Sequence, residues 1–137
     1  MRPVKFLLAS YLIIANTTLF SQDPDIFTSI NAGVFDDNTA TTPWSSTGSD
    51  ADGIPDSDDT IVVNHSITCS STQNSVVAVF RINSSGTITL DPTFRFQVWG
   101  QSQNSIITGG QINGPGLLNF VRSHTVSGTG SINNVNL

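Results

Sequence analysis

The sequence predicts an all-β chain, specifically a right-handed parallel β-helix, and three observations carry that expectation. Helix formers are scarce: the ten acidic side chains are all Asp, Lys5 is the one Lys, and Ser, Thr and Asn make up about a third of the residues. From Ile61 onward, short runs of β-branched and aromatic residues alternate with Gly, Asn and Ser clusters, with no 3.6-residue period. Related turn segments also recur at intervals of roughly 20 residues: Ser85-Gly86-Thr87-Ile88, then Ser105-Ile106-Ile107-Thr108-Gly109, then Val126-Ser127-Gly128-Thr129-Gly130, each after an apolar stretch. Such a unit suits a coil that buries its inward side chains against the coils above and below it. The alternative is an antiparallel β-sandwich of short strands. Its two-residue hairpin signatures are sparse, and Asn113-Gly114 is the one good case.

Taken in order, residues 1–21 carry two cations (Arg2 and Lys5), an apolar stretch from Phe6 to Phe20, and small Ser21 before Gln22. This is the tripartite plan of a secretory signal peptide. The firmly apolar part ends near Ala15, short of the roughly 20 residues of a membrane-spanning helix. Cleavage near Ser21 is expected, which places the protein in the secreted or cell-surface class with no membrane span after cleavage. The mature chain then holds three Arg against ten Asp, 3 − 10 = −7, more acidic than the −5 of the whole chain. That balance excludes the basic patch a nucleic-acid backbone requires. At 137 residues the chain has room for one small domain, and a single Cys leaves no internal disulfide framework.

Residues 22–59 hold nine of the ten Asp together with Pro24, Pro43 and Pro55, and read as an acidic, loop-rich N-terminal cap region. Residues 60–137 read as solenoid rungs, with strand runs at 60–69, 76–82, 87–90, 94–99, 105–112, 117–121 and 124–132. Phe94, Phe96 and Val98 alternate with Arg95, Gln97 and Trp99, the pattern of a strand with one buried face. Ile61, Val63, Ile67 and Cys69 share parity, which places Cys69 inside as a small hydrophobe. Trp44 is expected to plug the N-terminal end, where Phe27 and Phe35 are the other large apolar side chains.

A resemblance supports the same architecture. Residues 33–44 (GVFDDNTATTPW), 53–63 (GIPDSDDTIVV) and His65-Ser66-Ile67-Thr68 resemble the opening of secreted parallel β-helix proteins of the Bacteroidota, and residues 79–90 and 100–116 are similar in outline to that family's rungs. A more distant similarity links the chain to the extracellular eight-glycine β-helix domain. Phe35 stands where the family pattern has its first Trp, and no Lys-rich sorting domain of the type IX secretion pathway follows Leu137. The rungs stop at 133–137 without a cap-like segment, so the solenoid is expected to be truncated at its C-terminus, with an open end suited to self-association.

Chemistry-bearing residues are few. Asp50, Asp52, Asp56, Asp58 and Asp59 cluster around Gly53, and five mutually repelling carboxylates suit a hard divalent cation with oxygen ligands, calcium being the fitting one. The run resembles thrombospondin type-3 ligand segments and, less well, an EF-hand loop. The alternative is a solvated acidic loop in which Asp59 caps the start of the next strand. His65 and His124 lack metal-ligand spacing, and His65 reads as a strand-end residue hydrogen-bonded near a turn. No nucleophile-elbow motif supports a Ser-His-Asp triad. Beyond Asp59 only Asp91 remains for paired-carboxylate glycoside cleavage. Trp99, out of phase with Phe96 and Val98, is a candidate to stack on a sugar ring, against the alternative that it packs beneath a loop. The expected function is a non-catalytic secreted or cell-surface module for adhesion or glycan contact. The alternative is the N-terminal fragment of a polysaccharide-degrading β-helix enzyme.

Overall fold

The computed structural model describes residues 24–137 except 38, 41, 49–52, 71–74 and 101. The expected signal peptide therefore lies outside the described residues. Among those residues the structure is all-β, a parallel solenoid of stacked coils.

Fourteen short strands build it: β1 (Ile26–Ser29), β2 (Gly33–Val34), β3 (Trp44–Ser46), β4 (Thr60–Val63), β5 (Ser66–Cys69), β6 (Ser75–Val77), β7 (Val79–Ile82), β8 (Thr87–Leu90), β9 (Arg95–Val98), β10 (Gln103–Ile107), β11 (Gln111–Asn113), β12 (Leu117–Phe120), β13 (His124–Gly128) and β14 (Ser131–Asn133). They form three sheets. The first runs β13-β10-β7-β4-β1-β3, the second β14-β11-β8-β5-β2, and the third β12-β9-β6. Each complete coil visits the three sheets in turn, as β4-β5-β6, β7-β8-β9 and β10-β11-β12. All pairings are parallel except that of β1 with β3.

Alternation within each strand produces the interior. Ile67, Ile88, Ile112 and Ile132 stand in register on successive coils of the second sheet, and the first three are fully buried. On the first sheet Phe27, Ile61 and Phe80 stack in the same way, as do Val63 and Ile82. Cys69 pairs with Leu90 and is fully buried, in the place its parity predicts. Each such side chain contributes about 1.5–3 kcal/mol by leaving water, and does so only if the neighbouring coil is present.

The structure resolves the expected strand runs into finer pieces. The 60–69 run bends at Asn64-His65, the 76–82 run at Ala78, the 105–112 run at 108–110 and the 124–132 run at 129–130. Apolar alternation carries through these tight corners, so each run reads as one strand in sequence. The Asn113-Gly114 step is a corner rather than a hairpin, leading β11 into β12 of the same coil. Gly114 has φ +106°, and a Cβ there would collide with the Leu90 carbonyl oxygen of the coil below.

The acidic segment contains the first partial coil, β1 and β2, which pair parallel to β4 and β5. Across the outer edge of β1 lies antiparallel β3, which closes this end. Trp44, at the start of β3, is buried; its Nε1–H donates to the Phe35 carbonyl at 2.8 Å and its ring meets Phe35 at 5.4 Å, edge to face. Phe35 in turn meets Phe96 at 5.6 Å, so the plug reaches into the column. At the opposite end β13 and β14 each pair on one side, and their core-column positions Val126 and Ile132 remain 37% and 36% exposed.

Candidate functional site

The third sheet carries the one tryptophan that faces solvent. Phe96 and Val98 of β9 point inward, which turns Gln97 and Trp99 outward, and Trp99 is 38% exposed against 4% for Trp44. Its backbone N–H donates to the Val77 carbonyl at 2.8 Å, so the coil below fixes its position. The indole Nε1–H donates to Gln97 Oε1 at 2.9 Å, and the Arg122 guanidinium lies 6.0 Å from the ring centroid. Asn119 pairs in register with Gln97 on the next coil, and exposed Val121 is anchored through its N–H to the Val98 carbonyl at 3.0 Å. An indole, two side-chain amides and a cation thus share one surface. This is the chemistry that meets a sugar, with an apolar ring for its C–H face and polar groups for its hydroxyls.

The acidic turn holds three of the five proposed metal ligands. Asp56, Asp58 and Asp59 bring carboxylate oxygens within 4.8 Å of one another, whereas Asp50 and Asp52 lie outside the described residues. Asp59 is buried and works structurally: Oδ1 accepts the Asp25 N–H at 2.9 Å and Oδ2 the Asp56 N–H at 2.7 Å. These two bonds tie the turn to the residue before β1, and neither goes to the next strand, β4. Asp58 differs. A hydrogen bond with the Asp56 carboxylate, then burial and the charges of Asp56 and Asp59, raise its pKa to about 6. Its Oδ1 is shielded from solvent and has no hydrogen-bond partner among the described residues.

Both histidines contact serines, an arrangement sequence spacing did not reveal. Ser29 and Ser105 occupy interior positions of the first sheet and are almost fully buried. His65 Nδ1–H donates to the Ser29 carbonyl at 2.8 Å, and Ser29 Oγ accepts the N–H groups of Asn64 at 2.8 Å and His65 at 3.1 Å. His65 thus sits at the corner between β4 and β5, as a strand-end residue bonded near a turn. His124 Nδ1–H donates to the Gly100 carbonyl at 3.0 Å, which leaves Nε2 as acceptor for the Ser105 hydroxyl at 2.8 Å. The same Ser105 Oγ accepts the Phe80 N–H at 3.0 Å. A Ser–His hydrogen bond is present, yet its hydroxyl is sealed in the column and serves the backbone.

No sequence signal could have paired Trp99 with Arg122, or Ser105 with His124 and Phe80; the coil register alone brings them together. Comparison of the chain with protein-family models, with curated proteins and with solved structures found no match.

Proposed function

We propose that the chain is a non-catalytic secreted or cell-surface module that contacts glycans through the third sheet. The observation that carries the reading is the outward indole of Trp99, flanked by Gln97, Asn119 and Arg122. The groups that would do chemistry elsewhere have structural duties instead: the buried Ser105 hydroxyl and both Asp59 oxygens hold backbone N–H groups.

Fluorescence supplies the test, because Trp44 is buried and Trp99 is the described tryptophan open to added ligand. Oligosaccharides that bind should shift the Trp99 emission, and Trp99→Ala should weaken binding by about tenfold or more, the equivalent of 1.4 kcal/mol. A broad glycan array with no binding to the wild-type protein would remove the glycan reading.

Calcium at the acidic turn is a second reading, supported by the three converging carboxylates and the unpartnered Asp58 oxygen. A cation there competes with the proton on Asp58. Millimolar calcium should therefore raise the melting temperature more at pH 7 than at pH 5. Unchanged melting at both pH values rules calcium out.

A further inference from the structure

The few cations of this acidic chain are not spread evenly over it. Among the described residues they are Arg81, Arg95 and Arg122, and two of the three belong to the third sheet: Arg95 opens β9 and Arg122 follows β12. Alternation in β9 turns Arg95, Gln97 and Trp99 outward in one file, with Arg95 about 13 Å from Trp99 at a rise of about 3.3 Å per residue. On the neighbouring coils Val76 and Asn119 stand beside Gln97, and Leu117 stands beside Arg95. None of these outward positions is a carboxylate.

Carboxylates lie instead at the corners. Asp91 precedes β9, at the end of the strand away from Trp99. The acidic turn occupies the corner at the other end, but several coils down. Ala78 N–H donates to the Asp59 carbonyl and Gly100 N–H to the Ala78 carbonyl, and Ser102 bonds to Ser123 on the coil above. Asp59 is therefore three coils below the segment of Arg122, about 14 Å at about 4.8 Å per coil, which exceeds the Debye length of about 8 Å at physiological ionic strength. Its carboxylate also faces the N–H groups of Asp25 and Asp56. An anionic group seated against Trp99 thus meets the arginine before it meets the acidic turn.

The contact of Arg122 with the indole is a soft one. Its guanidinium is 6.0 Å from the ring centroid, at the outer limit of a cation–π contact, whereas a carboxylate would give it two parallel charge-assisted hydrogen bonds. The Trp99 Nε1–H is committed to Gln97 Oε1 at 2.9 Å, which holds the ring and leaves the Gln97 amide its N–H donors. A sugar ring laid on that indole places an exocyclic group at its rim, beside the arginine. Resting on the glycan reading of this surface, we infer that the sugar is a uronic acid, its ring on Trp99, its carboxylate on Arg122 and its hydroxyls on Gln97 and Asn119. A second carboxylate further along the same oligosaccharide reaches Arg95.

Paired probes supply the test: oligomers of galacturonic, glucuronic and mannuronic acid, and the methyl ester of each, which keeps the rings and loses the charge. Titrated against the tryptophan fluorescence of the wild-type chain, at least one acid oligomer should bind about tenfold or more tighter than its ester, the gain from a charge-assisted pair. Arg122→Gln should erase that preference and leave the affinity for the ester unchanged. Arg95→Gln should lower the affinity for the acid oligomer by a smaller factor. Both side chains are exposed, and an unchanged melting temperature verifies the fold of each variant. Equal binding of acid and ester, a preference for neutral or sulfated glycans, or an undiminished acid preference in folded Arg122→Gln overturns the uronic acid assignment and leaves the glycan reading standing. Wild-type binding to no glycan of any kind removes both.

Discussion

Single side chains in this protein are decided by which face of a very short strand they occupy. Cys69 lies in the column, and burial first, then the charges of Asp36 and Asp91, push its thiol pKa far up. It should resist thiol reagents in the folded state and react at the rate of global unfolding, checked by comparing modification in buffer and in denaturant. Asp58 behaves in the opposite sense to a salt-bridged carboxylate. Its folded pKa of about 6 exceeds the unfolded value of 3.8, so its contribution is fully present below that unfolded value and is lost as pH rises through about 6. Asp58→Asn should therefore flatten the stability profile between these limits. Relative to wild type, it should gain less than about 1 kcal/mol at pH 7, a bound set by its partial exposure to solvent. Denaturant midpoints measured across pH 4 to pH 8 give the comparison.

At the scale of the strand, the sheets are held by two unlike devices. Ile88 represents the common one, an apolar side chain stacked in register between Ile67 and Ile112. Ile88→Ala should cost about 2–5 kcal/mol by lost transfer energy and a cavity that packed coils above and below cannot close. Ser105 represents the other. Between Phe80 and His124 its hydroxyl accepts one hydrogen bond and donates another. Ser105→Ala should cost about 1–3 kcal/mol despite deleting a single oxygen, because a buried backbone N–H is left unpaired. Chemical denaturation of the two variants measures both losses. If Ser105→Ala were neutral, the hydroxyl would not be satisfying the Phe80 amide.

Across the whole molecule the coils interact with their immediate neighbours, so stability is graded along the axis. The N-terminal end is closed by β3 and Trp44, whereas the last coil leaves Val126 and Ile132 partly exposed at an unpaired edge. Hydrogen exchange should find the strongest protection in β7 and β8 and the weakest in β13 and β14. An unpaired strand edge is in general a template for pairing with another chain, so self-association through this edge is proposed and open to test. Sedimentation over a concentration series should show association that Val126→Lys reduces; a monomer at all concentrations would remove this contact.

By itself the sequence determined the periodicities: strand parity, the inward place of Cys69 and the outward turn of Trp99, the roughly 20-residue coil, and the plugging role of Trp44. These are local properties, set by a side chain's position relative to its own strand and its nearest turn. The corners within the 60–69 and 105–112 runs, the first coil inside the acidic segment, and the partners of Trp99, Ser105 and His124 were decided by the tertiary structure. Those features depend on register between coils. Register is set by how whole columns of side chains pack at once, and no single segment encodes it.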